Sequence, residues 1–167
     1  ICFTDHTDYG VKTDLDSGEE VVYKAGMARL NVDYPRYYEE IIRLQNKYGD
    51  KITLKLGMEF GVQLHTMDRY ENLFKKYPFD FIIGSSHITC KKDIAMDSSF
   101  FDGLSRKEAY MKYFLEVLEN IKLYDEFDVY GHLDYIVRYG GYDLKSIDYH
   151  EFQEILDEIL INLIKKK

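Results

Sequence analysis

Four apolar runs of the sequence are each followed by a side chain that can bind a metal ion. The four residues, each with the run that it follows, are His6 after residues 1–3, Glu59 after 52–58, His87 after 79–83 and His132 after 127–130. Imidazole and carboxylate groups together suit zinc, manganese or iron. Such ions lower the pKa of bound water and hold phosphate oxygens in line for displacement. The pattern therefore predicts a metal-dependent hydrolase, with a phosphoester as its substrate class.

The apolar runs are predicted to be parallel strands of an α/β fold, because longer amphipathic segments separate them. Three of the runs are short and apolar, like buried parallel strands, namely 1–3, 79–83 and 127–130. In the run 52–58 apolar and polar side chains alternate, so this strand is expected to expose one side. The carboxyl ends of parallel strands share one rim, where sites are built from several strands. A single histidine behind a strand is more often a hydrogen-bonded structural residue, but four candidate ligands at equivalent positions favour a metal site.

Four helices are expected between and after these strands. Ser105 and Glu108 have the spacing of a capping box, and apolar residues follow them at helical intervals. The other helices are one from Asp148, one opened by Pro35 and one over residues 67–77. The connections 7–33 and 88–104 are polar and longer than the ~12–15 residues of ordinary loops, so each is expected to be partly structured or functional.

Composition sets the class of protein. The 167 residues are 46% apolar and 31% charged, with a net charge of -8, as in one soluble globular domain. The acidic balance argues against a nucleic-acid partner, but one local cation cluster suffices for a small phosphorylated substrate. Cys2 and Cys90 lie far apart, which favours a reducing, cytoplasmic setting. No apolar run reaches the ~18–20 residues of a membrane span, and the oligomeric state is left open.

Four motifs in chain order carry a resemblance to a known family. They are residues 4–6 (Thr-Asp-His), 57–61 (Gly-Met-Glu-Phe-Gly), 79–87 (Phe-Asp-Phe-Ile-Ile-Gly-Ser-Ser-His) and 127–139 (Phe-Asp-Val-Tyr-Gly-His-Leu-Asp-Tyr-Ile-Val-Arg-Tyr). The sequence resembles the polymerase and histidinol phosphatase (PHP) family, in particular its histidinol-phosphatase branch. The resemblance implies a distorted, seven-stranded TIM-like β/α barrel with up to three metal ions. It also implies hydrolysis of L-histidinol phosphate to L-histidinol and phosphate in histidine biosynthesis.

The resemblance also assigns roles to individual residues. It implies that Glu59 is a bridging carboxylate and that His87 and His132 complete one metal pocket with it. His6 matches a ligand of another metal ion. Arg138 matches a basic residue that binds the substrate phosphate, for which a guanidinium offers bidentate hydrogen bonds. Glu59 and Arg138 are accordingly the candidate catalytic residues.

Two further residues are candidates for substrate contacts. His65 follows the second predicted strand at some distance, and Ser85 lies in the Gly-Ser turn before His87. The alternatives are a surface-loop histidine and an ordinary turn at a strand end. His150, on the polar side of the last predicted helix, is expected to be solvated.

The sequence departs from the family pattern at both ends. Members of the family begin with a His-x-His motif on the first strand and finish with further ligand-bearing motifs, and residues 1–167 contain neither. We therefore expect residues 1–167 to be the central part of a single PHP-type domain, with the barrel incomplete in this chain. The alternatives are a PHP phosphoesterase for another substrate, such as a nucleotide or a DNA end, and an inactive fragment that binds at most one metal.

Overall fold

The computed structural model describes residues 1–15, 17–24 and 26–166. Two compact units are present, and each is described by itself. The first unit comprises residues 1–61, 65–84 and 126–129. The second comprises residues 62–64, 85–125 and 130–167.

Single strands or groups of three strands alternate with helices along the chain. The strands are β1 (Cys2–Thr7), β2 (Tyr23–Lys24), β3 (Met27–Ala28), β4 (Lys55–Gly61), β5 (Phe81–Ser85), β6 (Ile88–Thr89), β7 (Lys92–Asp93) and β8 (Val129–Tyr130). The helices are α1 (Tyr34–Tyr48), α2 (Met67–Lys76), α3 (Arg106–Leu123) and α4 (Gln153–Lys165). Short 3₁₀ turns cover Leu64–Thr66, Ser98–Phe100, Tyr135–Arg138 and Tyr149–Glu151.

The central feature is a four-stranded sheet with the order β1-β4-β5-β8. β1 and β4 run parallel, and their register places His6 opposite Glu59. The α/β class with a parallel sheet is therefore confirmed. All of β1 and β4 belongs to the first unit, together with every residue of β5 and β8 except Ser85 and Tyr130.

The run 52–58 was expected to expose one side, and the two sides of β4 differ. Leu56, Met58 and Phe60 share one side and are at most 3% exposed. On the other side Lys55 is exposed, whereas Gly57 and Gly61 are buried. β4 lies between β1 and β5, so both of its edges are covered. β1 lies at an edge of the sheet, and its Phe3 is 40% exposed. Apolar alternation did not reveal this order, because strand position depends on long-range pairing.

The strand boundaries also differ from the prediction. The first strand was predicted to end at residue 3, because polar residues follow it. In the structure, β1 continues through His6 to Thr7. Likewise β4 continues past residue 58 and contains Glu59. A strand at a sheet edge tolerates polar side chains on its open side, so polarity did not mark its end. His87 and His132 do follow their strands, β5 and β8.

Two aspartates fix where β5 and β8 begin. The backbone N–H of Asp80 donates to Leu56 O (2.7 Å), and the N–H of Leu56 donates back to Asp80 Oδ2 (2.9 Å). Asp128 repeats the arrangement with Ile82, at 2.8 Å and 2.7 Å. Each Phe-Asp pair in the sequence therefore anchors a new strand to the preceding one. All four residues belong to the first unit.

The helix predictions are confirmed, with one shift. Asp33 caps α1 by accepting a hydrogen bond from Arg36 N, and the Ser105–Glu108 capping box of α3 makes both of its hydrogen bonds. The helix expected from Asp148 begins later, since Asp148 caps the 3₁₀ turn Tyr149–Glu151 and α4 starts at Gln153. The exposed His150 lies in that turn.

Both long connections contain structure, as expected. The antiparallel pair β2–β3 lies within 7–33, and the pair β6–β7 lies within 88–104. In the second unit, α3 packs against α4 and buries one face completely. Among the described residues, no helix combines the length and the apolar character that crossing a membrane requires.

Candidate metal centre

The first unit brings together His6 and Glu59. Because β1 and β4 are parallel and in register, the two residues lie opposite each other on neighbouring strands. His6 Nε2 is 3.7 Å from Glu59 Oε2. The Glu59 side chain is 12% exposed and the His6 side chain 48% exposed. An imidazole nitrogen and a carboxylate oxygen at this separation are two potential ligands on one side of the sheet.

Asp8 is a candidate ligand that sequence reasoning missed. It is 4% exposed, and its carboxylate lies within 4.8 Å of a ring nitrogen of His6. Lys12 Nζ lies 2.6 Å from Asp8 Oδ2, which offsets the charge of the buried carboxylate. The His-x-Asp spacing of residues 6 and 8 was the available indication, since alternate residues of an extended chain face the same side.

Tyr70 of α2 holds the ends of β1 and β4 in place. Its hydroxyl lies 3.1 Å from Thr7 O and 3.1 Å from Gly61 O, and it accepts a hydrogen bond from Tyr9 N (3.1 Å). Burial, and secondarily the nearby carboxylate of Asp8, raises the pKa of Tyr70 well above its usual value. The hydroxyl therefore keeps its single proton, which it shares between the two carbonyl oxygens at the strand ends.

The second unit brings together His87 and His132. Their Nε2 atoms are 3.3 Å apart, and their ring centroids 5.2 Å apart. Two ligands at about 2.0–2.1 Å from a tetrahedral zinc ion are separated by about 3.3–3.4 Å. The observed separation thus fits two adjacent ligands of such an ion. His87 is 6% exposed, so its ring is held within the protein.

A buried hydroxyl pair supports the backbone next to each of these histidines. Ser86 Oγ and Tyr130 OH are 2.6 Å apart, and Ser86 directly precedes His87. Tyr113 OH of α3 donates to Ser86 O at 3.4 Å. Burial raises the pKa of the Tyr130 hydroxyl above its usual range, so this group stays protonated. The chain on the amino side of both histidines is therefore anchored.

The remaining candidates occupy different environments. Arg138 ends the 3₁₀ turn Tyr135–Arg138, is exposed, and lies with its guanidinium carbon 5.3 Å from the centre of the Tyr135 ring. His65 is an exposed residue of the turn Leu64–Thr66. Ser85 is 0% exposed at the end of β5, and its carbonyl accepts a hydrogen bond from Val62 N (2.7 Å). The substrate contacts of His65 and Ser85 stay predictions.

Comparison with known proteins decides the family. The PHP domain family matches residues 1–167, the whole chain. The chain belongs to the PHP domain family. The resemblance found in the four motifs is thereby confirmed.

Relatives of this PHP domain include histidinol phosphatases. The chain is 35% identical over 167 residues to histidinol-phosphatase from Lactococcus lactis subsp. lactis, covering 100% of this chain and 57% of that protein. It is 28% identical over 135 residues to a probable histidinol-phosphatase from Clostridium acetobutylicum, covering 81% and 51% of the two. The chain thus spans little more than half the length of these relatives.

Two solved structures agree with the fold. The crystal structure of histidinol phosphate phosphatase (HisK) from Lactococcus lactis subsp. lactis, complexed with zinc, L-histidinol and phosphate, matches with a TM-score of 0.82 at 34% identity. That match covers 99% of this chain and 58% of the other. A putative histidinol phosphatase from Listeria monocytogenes matches with a TM-score of 0.59 at 17% identity over 97% and 68% of the two chains, which supports the fold alone.

Proposed function

We propose that this PHP domain belongs to a metal-dependent phosphomonoesterase that hydrolyses L-histidinol phosphate to L-histidinol and phosphate, as in histidine biosynthesis. The observation that carries the proposal is the 3.3 Å separation of His87 Nε2 and His132 Nε2, which fits a tetrahedral ion. The relative from Lactococcus lactis, 34% identical in its solved structure, contains zinc, L-histidinol and phosphate. The partner of the domain is accordingly a small phosphorylated molecule.

We assign metal ligation to His6, Glu59, His87 and His132. Histidine and carboxylate ligands serve zinc, manganese and iron alike, and zinc in the Lactococcus lactis structure makes zinc the first candidate. The family pattern implies up to three ions. When bound, such ions polarise the phosphoester and lower the pKa of water. The four side chains bind with neutral imidazole nitrogens and an ionised carboxylate, so acid weakens metal binding.

Arg138 is the proposed phosphate-binding residue. Its guanidinium can donate two parallel hydrogen bonds to phosphate oxygens and so orient the ester for attack by water. Its charge also stabilises the negative charge that develops on those oxygens during the displacement. The residue is exposed and lies on a short turn with Tyr135, so it can reach a ligand in solution.

The finer fold and setting are also proposals. The parallel sheet and the match to 58% of the Lactococcus lactis structure support a distorted seven-stranded β/α barrel, of which residues 1–167 are the central part of one domain. Cys2 and Cys90 are both free thiols, which suits a reducing cytoplasm. Neither a nucleic-acid partner nor a membrane is part of the proposal.

The test combines metal binding with phosphate release. The zinc-loaded chain should release phosphate from L-histidinol phosphate faster than from nucleoside monophosphates or a phosphorylated DNA end. Glu59→Gln should abolish turnover and weaken zinc binding, whereas Glu39→Gln, a substitution at an exposed residue of α1, should change neither. Arg138→Lys should keep zinc and raise KM, since a lysine offers a point charge instead of a bidentate fork.

Each outcome separates the alternatives. Activity that survives Glu59→Gln would show that the assigned site is wrong. Faster hydrolysis of a nucleotide or a DNA end would favour the alternative PHP phosphoesterase. Zinc binding without turnover would favour a non-catalytic fragment, an alternative supported by the 57% coverage of the Lactococcus lactis relative.

A further inference from the structure

The ring of Tyr135 lies against both histidines of the second unit. Its centroid is 4.9 Å from that of His132, with the planes at 27°, and 5.0 Å from that of His87, with the planes at 56°. The two imidazoles thus share one aromatic neighbour. The sequence alone assigns no role to Tyr135, which is one of 16 tyrosines in the chain.

The same tyrosine also contacts the proposed phosphate-binding turn. The guanidinium carbon of Arg138 lies 5.3 Å from the centre of the Tyr135 ring. The ring of Tyr139 meets it edge-on, with 5.1 Å between centroids. Tyr135 opens the 3₁₀ turn that Arg138 closes, so backbone and side chain join the two residues. One side chain therefore touches two proposed metal ligands and the proposed phosphate ligand.

The backbone anchors alone do not determine how the imidazoles point. The Ser86–Tyr130 hydroxyl pair fixes the chain beside His87 and His132 but leaves the ring torsions of both histidines to their side-chain neighbours. Two ring nitrogens 3.3 Å apart are favourable only if a proton or a cation lies between them. Metal binding requires both Nε2 atoms to present a lone pair, and two such lone pairs repel each other at this separation. A third group that keeps both rings aimed at one point therefore favours binding of the ion.

We propose that Tyr135 is a positioning residue that keeps His87 and His132 in the metal-binding orientation and aligns Arg138 with them. The inference rests on the proposed function and deepens it, since it assigns the alignment of metal ligands and phosphate ligand to one aromatic ring. The ring face, and not the hydroxyl, carries this role, because the contacts to both imidazoles are contacts of the ring. Substitutions of groups that orient metal-binding histidines typically lower metal affinity about 10–100-fold.

The test compares three variants of the full chain. Tyr135→Leu removes the aromatic ring, Tyr135→Phe keeps it, and Tyr142→Leu removes a comparable ring that packs on Phe101 and Tyr110 in the same unit. Zinc affinity is measured by competition with a chromogenic chelator, and the visible spectrum of the cobalt-loaded chain reports ligand geometry. Titration with inorganic phosphate measures the anion affinity of the zinc-loaded chain, and thermal unfolding of the metal-free chain monitors stability.

We expect Tyr135→Leu to lower zinc affinity by about 10–100-fold, to alter the cobalt spectrum and to weaken phosphate binding. Tyr135→Phe should match the unsubstituted chain in all three measurements. Tyr142→Leu should bind zinc normally even if it unfolds at a lower temperature. This pattern separates positioning from packing, because a packing role would make zinc affinity follow stability across all three variants.

Three results would overturn the inference while the proposed function stands. The first is unchanged zinc affinity in Tyr135→Leu. The second is a loss in Tyr135→Phe as large as that in Tyr135→Leu, which would assign the role to the hydroxyl. The third is an equal loss in Tyr142→Leu. An unsubstituted chain that binds no zinc would instead remove the proposed function, and this inference with it.

Discussion

The two proposed ligand pairs are held by different means. In the first unit, the parallel register of β1 and β4 sets His6 opposite Glu59, with 3.7 Å between Nε2 and Oε2. In the second unit, His87 and His132 follow their strands, and the packing of their rings against Tyr135 sets the 3.3 Å between their Nε2 atoms. Backbone pairing positions the first pair, and side-chain packing positions the second.

This difference predicts that the two pairs are not equally well ordered before a metal ion binds. The His6 side chain is 48% exposed, so binding must restrict a side chain that water still surrounds. His87 is 6% exposed and lies between ring neighbours, so the entropy of fixing its rotamer is already lost on folding. We therefore expect the histidine pair of the second unit to contribute more to metal affinity than the pair of the first.

The largest effect should come from substitutions in the two pairs. His132→Ala should lower zinc affinity more than His6→Ala does, by up to about tenfold, because ordering the exposed His6 side chain already costs about 0.5–1.5 kcal/mol of its binding free energy. Chelator competition on the two variants measures the difference, with His150→Ala as a control at an exposed histidine. Equal losses in the two variants would break the comparison and show that exposure does not decide affinity.

The fold class could be predicted from the sequence because its evidence is local. Apolar runs separated by amphipathic segments indicated the parallel sheet, and the Ser105–Glu108 box marked the start of α3 to the residue. Strand order could not be predicted in this way, and so the position of β4 between β1 and β5 was missed. The polar residues of β1 were excluded from the strand because an edge strand and a loop have similar composition there. Long-range pairing decides these features.

The candidate site could be predicted only as a set of residue types. Glu59 and the three histidines were found from their places behind apolar runs, but the pairing of His6 with Glu59 required the register of β1 on β4. Asp8 was missed because it was treated as part of a polar loop, although it is 4% exposed. The role of Tyr135 was not predicted for another reason, since its ring contact with His87 joins residues 48 positions apart and leaves no spacing pattern.

A smaller effect on stability should distinguish the buried tyrosine hydroxyls that support the two ligand pairs. Tyr70→Phe removes a fully buried hydroxyl. This hydroxyl lies 3.1 Å from each of three backbone atoms at the ends of β1 and β4, namely Thr7 O, Gly61 O and Tyr9 N. Loss of these buried hydrogen bonds should cost about 1–3 kcal/mol. Tyr113→Phe removes a single 3.4 Å bond to Ser86 O and should cost less than about 1 kcal/mol. Urea unfolding of both variants measures the two changes, and a larger loss in Tyr113→Phe would contradict the comparison.

The smallest expected effect is a pH dependence of stability that arises from Asp80 in the first unit. The hydrogen bond from Leu56 N–H, assisted by Lys55, holds the pKa of Asp80 below its ordinary value. A carboxyl group with a lowered pKa stabilises the fold above the unfolded pKa of about 3.9, and this stability is lost as the pH falls through the folded pKa. Asp80→Asn keeps an oxygen for Leu56 N–H but removes the charge. The variant should therefore unfold at a lower temperature than the unsubstituted chain at pH 7, and the difference should shrink as the pH falls through the lowered pKa of Asp80 in the folded state. Thermal unfolding across this range, with Asp102→Asn as a control at an exposed aspartate, checks the expectation. A difference that stays constant with pH would mean that shape, and not charge, anchors β5 to the strand that carries Glu59.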